Sequence, residues 1–318
     1  MGVMVDGTWV QEDFAKRNRD GHYKRAATAF RDEVTADGAG GFKAEAGRYH
    51  LYVAHACPWA HRTLIFRALK GLEEAISVSF VEPLMLEQGW ELREGADPIN
   101  GARAMHEVYR AARPDYTGRC SVPVLWDRER ATIVSNESAD IIRMLNGAFD
   151  ALATREVPDL YPEDLRGEID RLNDLIYNDI NNGVYKTGFA TSQAAYEQAF
   201  DALFAALDEV EDILSRQPYL CGSRITEADW RLFATLVRFD AVYVTHFKCN
   251  RRRIADYPAL SNYTRALYQW PGIAETVDMP RIKQHYFGSH ESINPFRIVA
   301  RGPDLDLDAP HDRGRFAA

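Results

Sequence analysis

No run of about eighteen apolar residues occurs anywhere in the 318-residue chain, so no membrane-spanning helix is expected. Basic charge is not in excess either. The 38 Lys and Arg stand against 47 Asp and Glu, a net charge of -9, which disfavours nucleic acid and anionic membranes as main partners because both reward a basic face. Asp6, Glu12 and Asp13 precede any apolar stretch, so the N-terminus does not read as a signal peptide. Cysteine is scarce. The four residues, Cys57, Cys120, Cys221 and Cys249, form no CxxC and no zinc-like pairing, and His50, His55 and His61 match no metal-ligand spacing. No metal is expected, and free thiols point to a cytoplasmic chain. Repeats and low-complexity tracts are also absent. What is present is an ordinary globular composition, long enough for one large domain or two ordinary ones.

Punctuation and periodicity divide the chain into four. Residues 1–46 are polar and end in a Gly-rich loop, and they read as an irregular arm. Residues 47–150 alternate. Tyr49, Leu51 and Val53 suggest a strand, Pro58 to about Leu69 a helix stopped by Gly71, and 75–81 a second strand. A long polar segment covers about 82–118. Residues 122–134 then predict a hairpin around the charged turn 127–130, and a helix follows from Ser135-Asn136-Glu137-Ser138. Residues 163–298 read as all-helical, with helices at about 163–182, 192–215, 226–242 and 259–269, the third opened by a capping box from Thr226 to Asp229. Residues 299–318 read as a loosely held acidic tail.

The chemistry concentrates at Cys57. It lies between a strand and a helix that opens with Pro58, where a missing N–H costs nothing. At that N-cap the unpaired backbone N–H groups and the positive helix end both favour a thiolate. The expected pKa falls from about 8.5 into the range of roughly 3.5 to 7.5, with Arg62 one turn on adding positive potential. Position 60 is Ala, so no resolving thiol follows, and the centre should form mixed disulfides with an external thiol. Val122-Pro123 opens a strand whose backbone can pair with an extended ligand. Glu137-Ser138 opens a helix that can hold a carboxylate, with Glu137 taking an ammonium. The γ-glutamyl end of glutathione carries both groups, and its thiol would then reach toward Cys57.

These residues and the segments around them resemble the Xi-class glutathione transferases, also called glutathionyl-hydroquinone reductases. The resemblance runs from about Gly41 to Pro295. It is carried by Arg48-Tyr49-His50-Leu51-Tyr52-Val53, Cys57-Pro58-Trp59-Ala60-His61-Arg62-Thr63-Leu64, Pro83-Leu84-Met85-Leu86 with Gly89-Trp90, Tyr116-Thr117-Gly118-Arg119 and Val122-Pro123-Val124-Leu125-Trp126-Asp127. Ser135-Asn136-Glu137-Ser138, Asn181-Asn182-Gly183-Val184-Tyr185, Arg238-Phe239-Asp240, His246-Phe247-Lys248-Cys249-Asn250 and Ile282-Lys283-Gln284-His285-Tyr286 complete it.

The resemblance implies a thioredoxin-like N-terminal domain followed by an all-helical C-terminal domain, and a homodimer built through the helical part. It implies Cys57 as nucleophile and Trp90, Arg119, Val122, Glu137 and Ser138 as the residues that hold glutathione. Tyr185, Tyr243 and Tyr286 would face the quinol, with Tyr185 and Tyr286 as catalytic candidates; Phe287 stands where a second Tyr also occurs. The substrates would be glutathione and glutathionyl-hydroquinones. An Omega-like thiol transferase or dehydroascorbate reductase would use the same Cys-Pro start, but the insertion with Trp90 and the Asn-Asn-Gly-Val-Tyr segment favour the quinol reading. A non-catalytic glutathione-binding scaffold would have no need of Cys57.

Overall fold

The computed structural model describes residues 2–11, 21–23, 25 and 27–316. They form two compact units, each discontinuous in sequence. The first comprises Met1–Arg17, Arg25–Pro158 and Thr276–Glu291, and the second Asn18–Lys24, Asp159–Glu275 and Ser292–Ala318.

The first unit is built on a four-stranded sheet. Strand β1 (Tyr49–Val53) pairs in parallel with β2 (Ile76–Phe80) and antiparallel with β3 (Val124–Asp127), which pairs antiparallel with β4 (Thr132–Ser135). The order is therefore β4-β3-β1-β2. Every residue of the central β1 is buried, as expected for a strand covered on both faces. The parallel β1–β2 pair needs a crossover, and α1 (Pro58–Lys70) supplies it. Pro58 fits the start of this helix, and Gly71 ends it at φ 63°, a left-handed conformation open to glycine at little cost. Helix α3 (Ser138–Gly147) follows β4 and packs beside α1.

Between β2 and β3, the segment read as simply polar holds two elements. A two-residue hairpin pairs Met85–Leu86 with Gly89–Trp90, and α2 (Met105–Ala112) buries Met105, Val108 and Tyr109. The arm is likewise not wholly irregular. Gly2–Val5 and Thr8–Gln11 form an antiparallel hairpin turned by Asp6 (φ 46°) and Gly7 (φ 74°), the positive pair that a type I′ turn requires. Residues 1, 12–20, 24 and 26 of the arm lie outside the described residues.

The second unit is helical. Helix α4 (Arg166–Leu175) continues through a π-helical stretch, Ile176–Asn181, into α5 (Gly183–Gly188). Helix α6 (Gln193–Arg216) packs against α5 and against α8 (Pro258–Tyr268). Helix α7 (Glu227–Arg238) runs into a second π stretch, Phe239–Tyr243. The capping box is formed. Asp229, fully buried, accepts from the Thr226 N–H at 2.8 Å and the Thr226 hydroxyl at 3.1 Å, and also from the Leu220 N–H at 2.9 Å and the Tyr263 hydroxyl at 2.7 Å.

Two expectations need correcting. The first concerns α9 (Met279–Ser289), which the contiguous division placed in the helical half. It clusters with the first unit because the His285 Nδ1–H donates to Pro83 O at 2.9 Å and Ser289 Oγ accepts from the Met85 N–H at 2.9 Å. The second concerns the tail, which is tied down. Arg313 is buried, and its guanidinium donates to Leu214 O at 2.9 Å, Gln217 O at 2.5 Å and Pro218 O at 2.7 Å. These carbonyls close the C-terminal end of α6, where the last carbonyls have no partner within the helix.

Candidate functional site

Cys57 occupies the N-cap of α1 in extended backbone (φ −75°, ψ 115°), directly before Pro58. Its carbonyl accepts the first helical bond, from the His61 N–H at 2.9 Å. No acidic residue stands in the first turn, so no side chain there opposes a negative sulfur. The thiol is half-buried and donates to Val122 O at 3.3 Å. Val122 is in turn followed by Pro123 through a cis peptide bond. Strand β3 thus brings the backbone of Val122 against the thiol, the two parts that local motifs pointed to separately.

The remaining thiols stand in a different environment. Burial pushes Cys221 up to about 11 and raises Cys120 and Cys249 as well. Among the described residues no group of three or more His, Cys, Asp or Glu side chains is placed to hold a metal ion.

Arg62 connects α1 to the start of α3. It is buried, its guanidinium carbon lies 4.5 Å from the centre of the Trp59 ring, and its Nη1 donates to Ser138 Oγ at 3.4 Å. Glu137 is the N-cap of α3. Its Oε1 accepts from the Ala139 N–H at 3.2 Å and its Oε2 from the Thr28 hydroxyl at 3.3 Å. The carboxylate therefore stands fixed at a helix N-terminus, beside the buried Ser138. Arg119 is half-buried, and its carbonyl accepts from the Tyr116 hydroxyl at 3.0 Å. Trp90, buried, stacks on His285 with ring centres 4.7 Å apart and planes 20° apart. Tyr286 follows His285 on α9, is buried, and has its ring 5.7 Å from that of His290.

In the helical unit, Tyr185 and Tyr243 belong to one aromatic cluster. The Tyr185 ring is 6.3 Å from Tyr243, 5.4 Å from Phe247 and 6.2 Å from Tyr23. Gly188 makes the packing possible, because a Cβ there would stand 2.2 Å from the Phe247 ring. Tyr185 is half-exposed and Tyr243 fully buried. The π stretch before Tyr185 is pinned by Asn181, whose Nδ2 donates to Arg231 O at 3.1 Å and Thr235 Oγ1 at 2.7 Å. Single-turn π segments of this kind recur where a helix must re-aim a side chain.

Residues 56–148 match the glutathione S-transferase N-terminal domain family and residues 193–266 the C-terminal domain family. The curated glutathionyl-hydroquinone reductase YqjG of Escherichia coli (strain K12) is 53% identical over 98% of this chain and 98% of its own. The glutathionyl-hydroquinone reductase PcpF of Sphingobium chlorophenolicum is 50% identical over 96% of this chain and 98% of its own. The Xi-class transferase from Natrialba magadii superposes with a TM-score of 0.94 at 51% identity, covering 99% of this chain and 98% of that one.

The chain belongs to the Xi-class glutathione transferases. As in that class, a thioredoxin-like domain precedes a helical one, and the E. coli relative has been solved with glutathione bound (TM-score 0.87, 55% identity, covering 89% of this chain and 96% of that one). Sequence reasoning found the family, and the structure places its candidate thiol, Cys57, at the start of α1 beside Val122. It passed over the contacts that Trp9, Thr28 and His285 make with Glu87, Glu137 and Trp90, although Trp9, a lone tryptophan in a polar stretch, was a usable signal. No helix among the described residues is long and apolar enough to cross a membrane.

Proposed function

We propose that this protein reduces glutathionyl-hydroquinones to free hydroquinones at the expense of glutathione. The observation that carries the proposal is Cys57 at the α1 N-cap, 3.3 Å from the carbonyl that precedes the cis-proline. The E. coli and Sphingobium relatives that carry this activity in their names are aligned over nearly the full chain.

The Cys57 thiolate attacks the glutathione sulfur of the thioether. The carbon–sulfur bond breaks, its electron pair stays on the ring carbon, and a proton adds there. The products are the free hydroquinone and a Cys57–glutathione disulfide. A second glutathione thiolate attacks that disulfide at the glutathione sulfur, releasing oxidised glutathione and returning Cys57 to its thiol form. The second thiol must come from solution because position 60 is Ala.

Val122 would pair its backbone with the peptide part of glutathione, the added-strand mode of recognition. Glu137 and Ser138 would take the ammonium and carboxylate of the γ-glutamyl end at the α3 N-terminus. Arg119 would supply positive charge, and Trp90 a flat apolar wall. Tyr185, Tyr243 and Tyr286 are assigned to the quinol. Tyr185 is the first candidate to donate to a quinol oxygen and so ease protonation of the ring, since it alone of the three keeps open surface. The protein is further proposed to be a cytoplasmic homodimer formed through its helical unit.

The test is mass spectrometry with a glutathionyl-hydroquinone and glutathione. Wild type should yield free hydroquinone, oxidised glutathione and a glutathione adduct on the Cys57 peptide, and Cys57→Ser should yield none of them. Substantial turnover by Cys57→Ser would refute the mechanism.

A further inference from the structure

We infer that the N-terminal arm is the brace of the glutathione site, with Trp9 and Thr28 acting as positioning residues for glutathione binding. The inference rests on the assignment of Trp90, Arg119 and Glu137 to glutathione. Each of the three is backed by the arm.

Behind Trp90 stands Trp9. Its indole N–H donates to Glu87 O at 3.0 Å, within the hairpin that ends in Trp90. The indole also lies against Gly89, where a Cβ would meet its ring at 3.0 Å. Trp9 stacks on His106 of α2 as well, with ring centres 4.8 Å apart. The far side of the assembly is α9, whose His285 covers the Trp90 ring. A two-residue hairpin has almost no stability of its own, so Trp9 and His285 add to the backbone pairing of Glu91 and Leu92 in fixing the pose of Trp90.

Ahead of Arg119, the arm pairs its backbone with the approach to that residue. Met4 and Gly118 exchange two hydrogen bonds of 2.9 Å, the Gly7 N–H donates to Tyr116 O at 3.1 Å, and the Asp6 N–H donates to Thr117 Oγ1 at 2.9 Å. At Glu137, Thr28 holds the second carboxylate oxygen while the helix holds the first. Next to Thr28, Phe30 and Asn136 bond reciprocally at 3.2 Å, and Arg31 pairs with Asp140. Without Thr28 the Glu137 carboxylate would be held at one oxygen only, and fixing the other on binding would cost affinity.

The variants are Trp9→Ala, Trp9→Phe, Thr28→Val and the conservative Thr28→Ser. Glutathione affinity is read by calorimetry, and KM and kcat by hydroquinone release. Labelling of Cys57 by iodoacetamide, followed on its peptide, reports the thiol. Loss of one such hydrogen bond is expected to weaken glutathione about fivefold in Thr28→Val and Trp9→Phe, and more in Trp9→Ala. The loss should appear in KM and in calorimetric affinity, with kcat and Cys57 labelling unchanged, and Thr28→Ser should restore wild-type binding. Calorimetry needs no quinol, so it decides the matter even if the proposed substrate is wrong. Unchanged affinity in both Trp9→Phe and Thr28→Val would overturn the inference. So would a fall in kcat at constant KM, which would place the arm's effect elsewhere.

Discussion

Asp229 offers the sharpest test of how the helical unit is held. Four donors converge on its two oxygens, two backbone N–H groups and two hydroxyls, all between 2.7 and 3.1 Å, in a place with no exposed surface. Burial pushes the carboxyl up from its ordinary value, and these same donors pull it back. In Asp229→Ala the hydroxyls can turn to other partners, but the N–H groups of Leu220 and Thr226 cannot. At about 2 kcal/mol for each stranded donor, the loss should be about 4 kcal/mol. Asp229→Asn keeps one acceptor oxygen for Leu220 and Tyr263 and sets an amide N–H against the Thr226 N–H. It should cost about half as much, roughly 2 kcal/mol. Urea unfolding followed by the fluorescence of the buried neighbour Trp230 reads both variants. The midpoint should shift while the slope stays that of wild type. An alanine variant within about 1 kcal/mol of wild type would show that the four donors find other partners, and the reasoning would fail.

Two further outcomes follow from the same physics. Arg313→Ala strands three carbonyls at the end of α6 and should cost about 3 kcal/mol in urea unfolding, while opening the segment after residue 300 to protease. Equal protease resistance in variant and wild type would contradict the anchoring role. His50 is buried in β1 with its Nδ1 2.6 Å from Ser77 Oγ, and burial lowers its pKa from 6.5 to about 4. The unfolded chain binds the proton first as pH falls, so this contribution is complete above pH 6.5 and is lost toward pH 4. By pH 5 the loss should amount to about 2 kcal/mol. A His50→Gln variant should lose this part of the pH slope; an identical slope in both proteins would argue against it.

Legibility in the sequence tracked the range of the interactions. The β1–α1–β2 unit could be read because Pro58 and Gly71 bracket the helix and alternation marks the strand before it. Helix α2 escaped because only Met105, Val108 and Tyr109 of its eight residues are buried among charged neighbours. Helix α9 escaped because Pro280 and a mixed His-Tyr-Phe run blur its period. The arm's hairpin was signalled by Asp6-Gly7, yet its strands are too short and exposed for alternation to stand out. Cys57, Val122 and Glu137-Ser138 were visible because each is a local motif at an element boundary. The arm's contacts were not, since Trp9 reaches across 78 residues to Glu87 and Thr28 across 109 to Glu137. The tail misled by composition. Its acidic run suggested looseness, and one arginine beyond that run decides otherwise.

The membership of α9 in the first unit has a consequence for how the protein is made. During synthesis, the sheet, the thiol and the Trp90 hairpin all leave the ribosome early. The histidine that covers Trp90 emerges only after the whole helical stretch 159–275 has been translated. The first unit therefore cannot finish folding as the chain is threaded out, and a messenger cut short before that point yields a first unit with Trp90 uncovered rather than a small complete domain. Separating the two units as independent gene segments would leave that helix on the wrong piece.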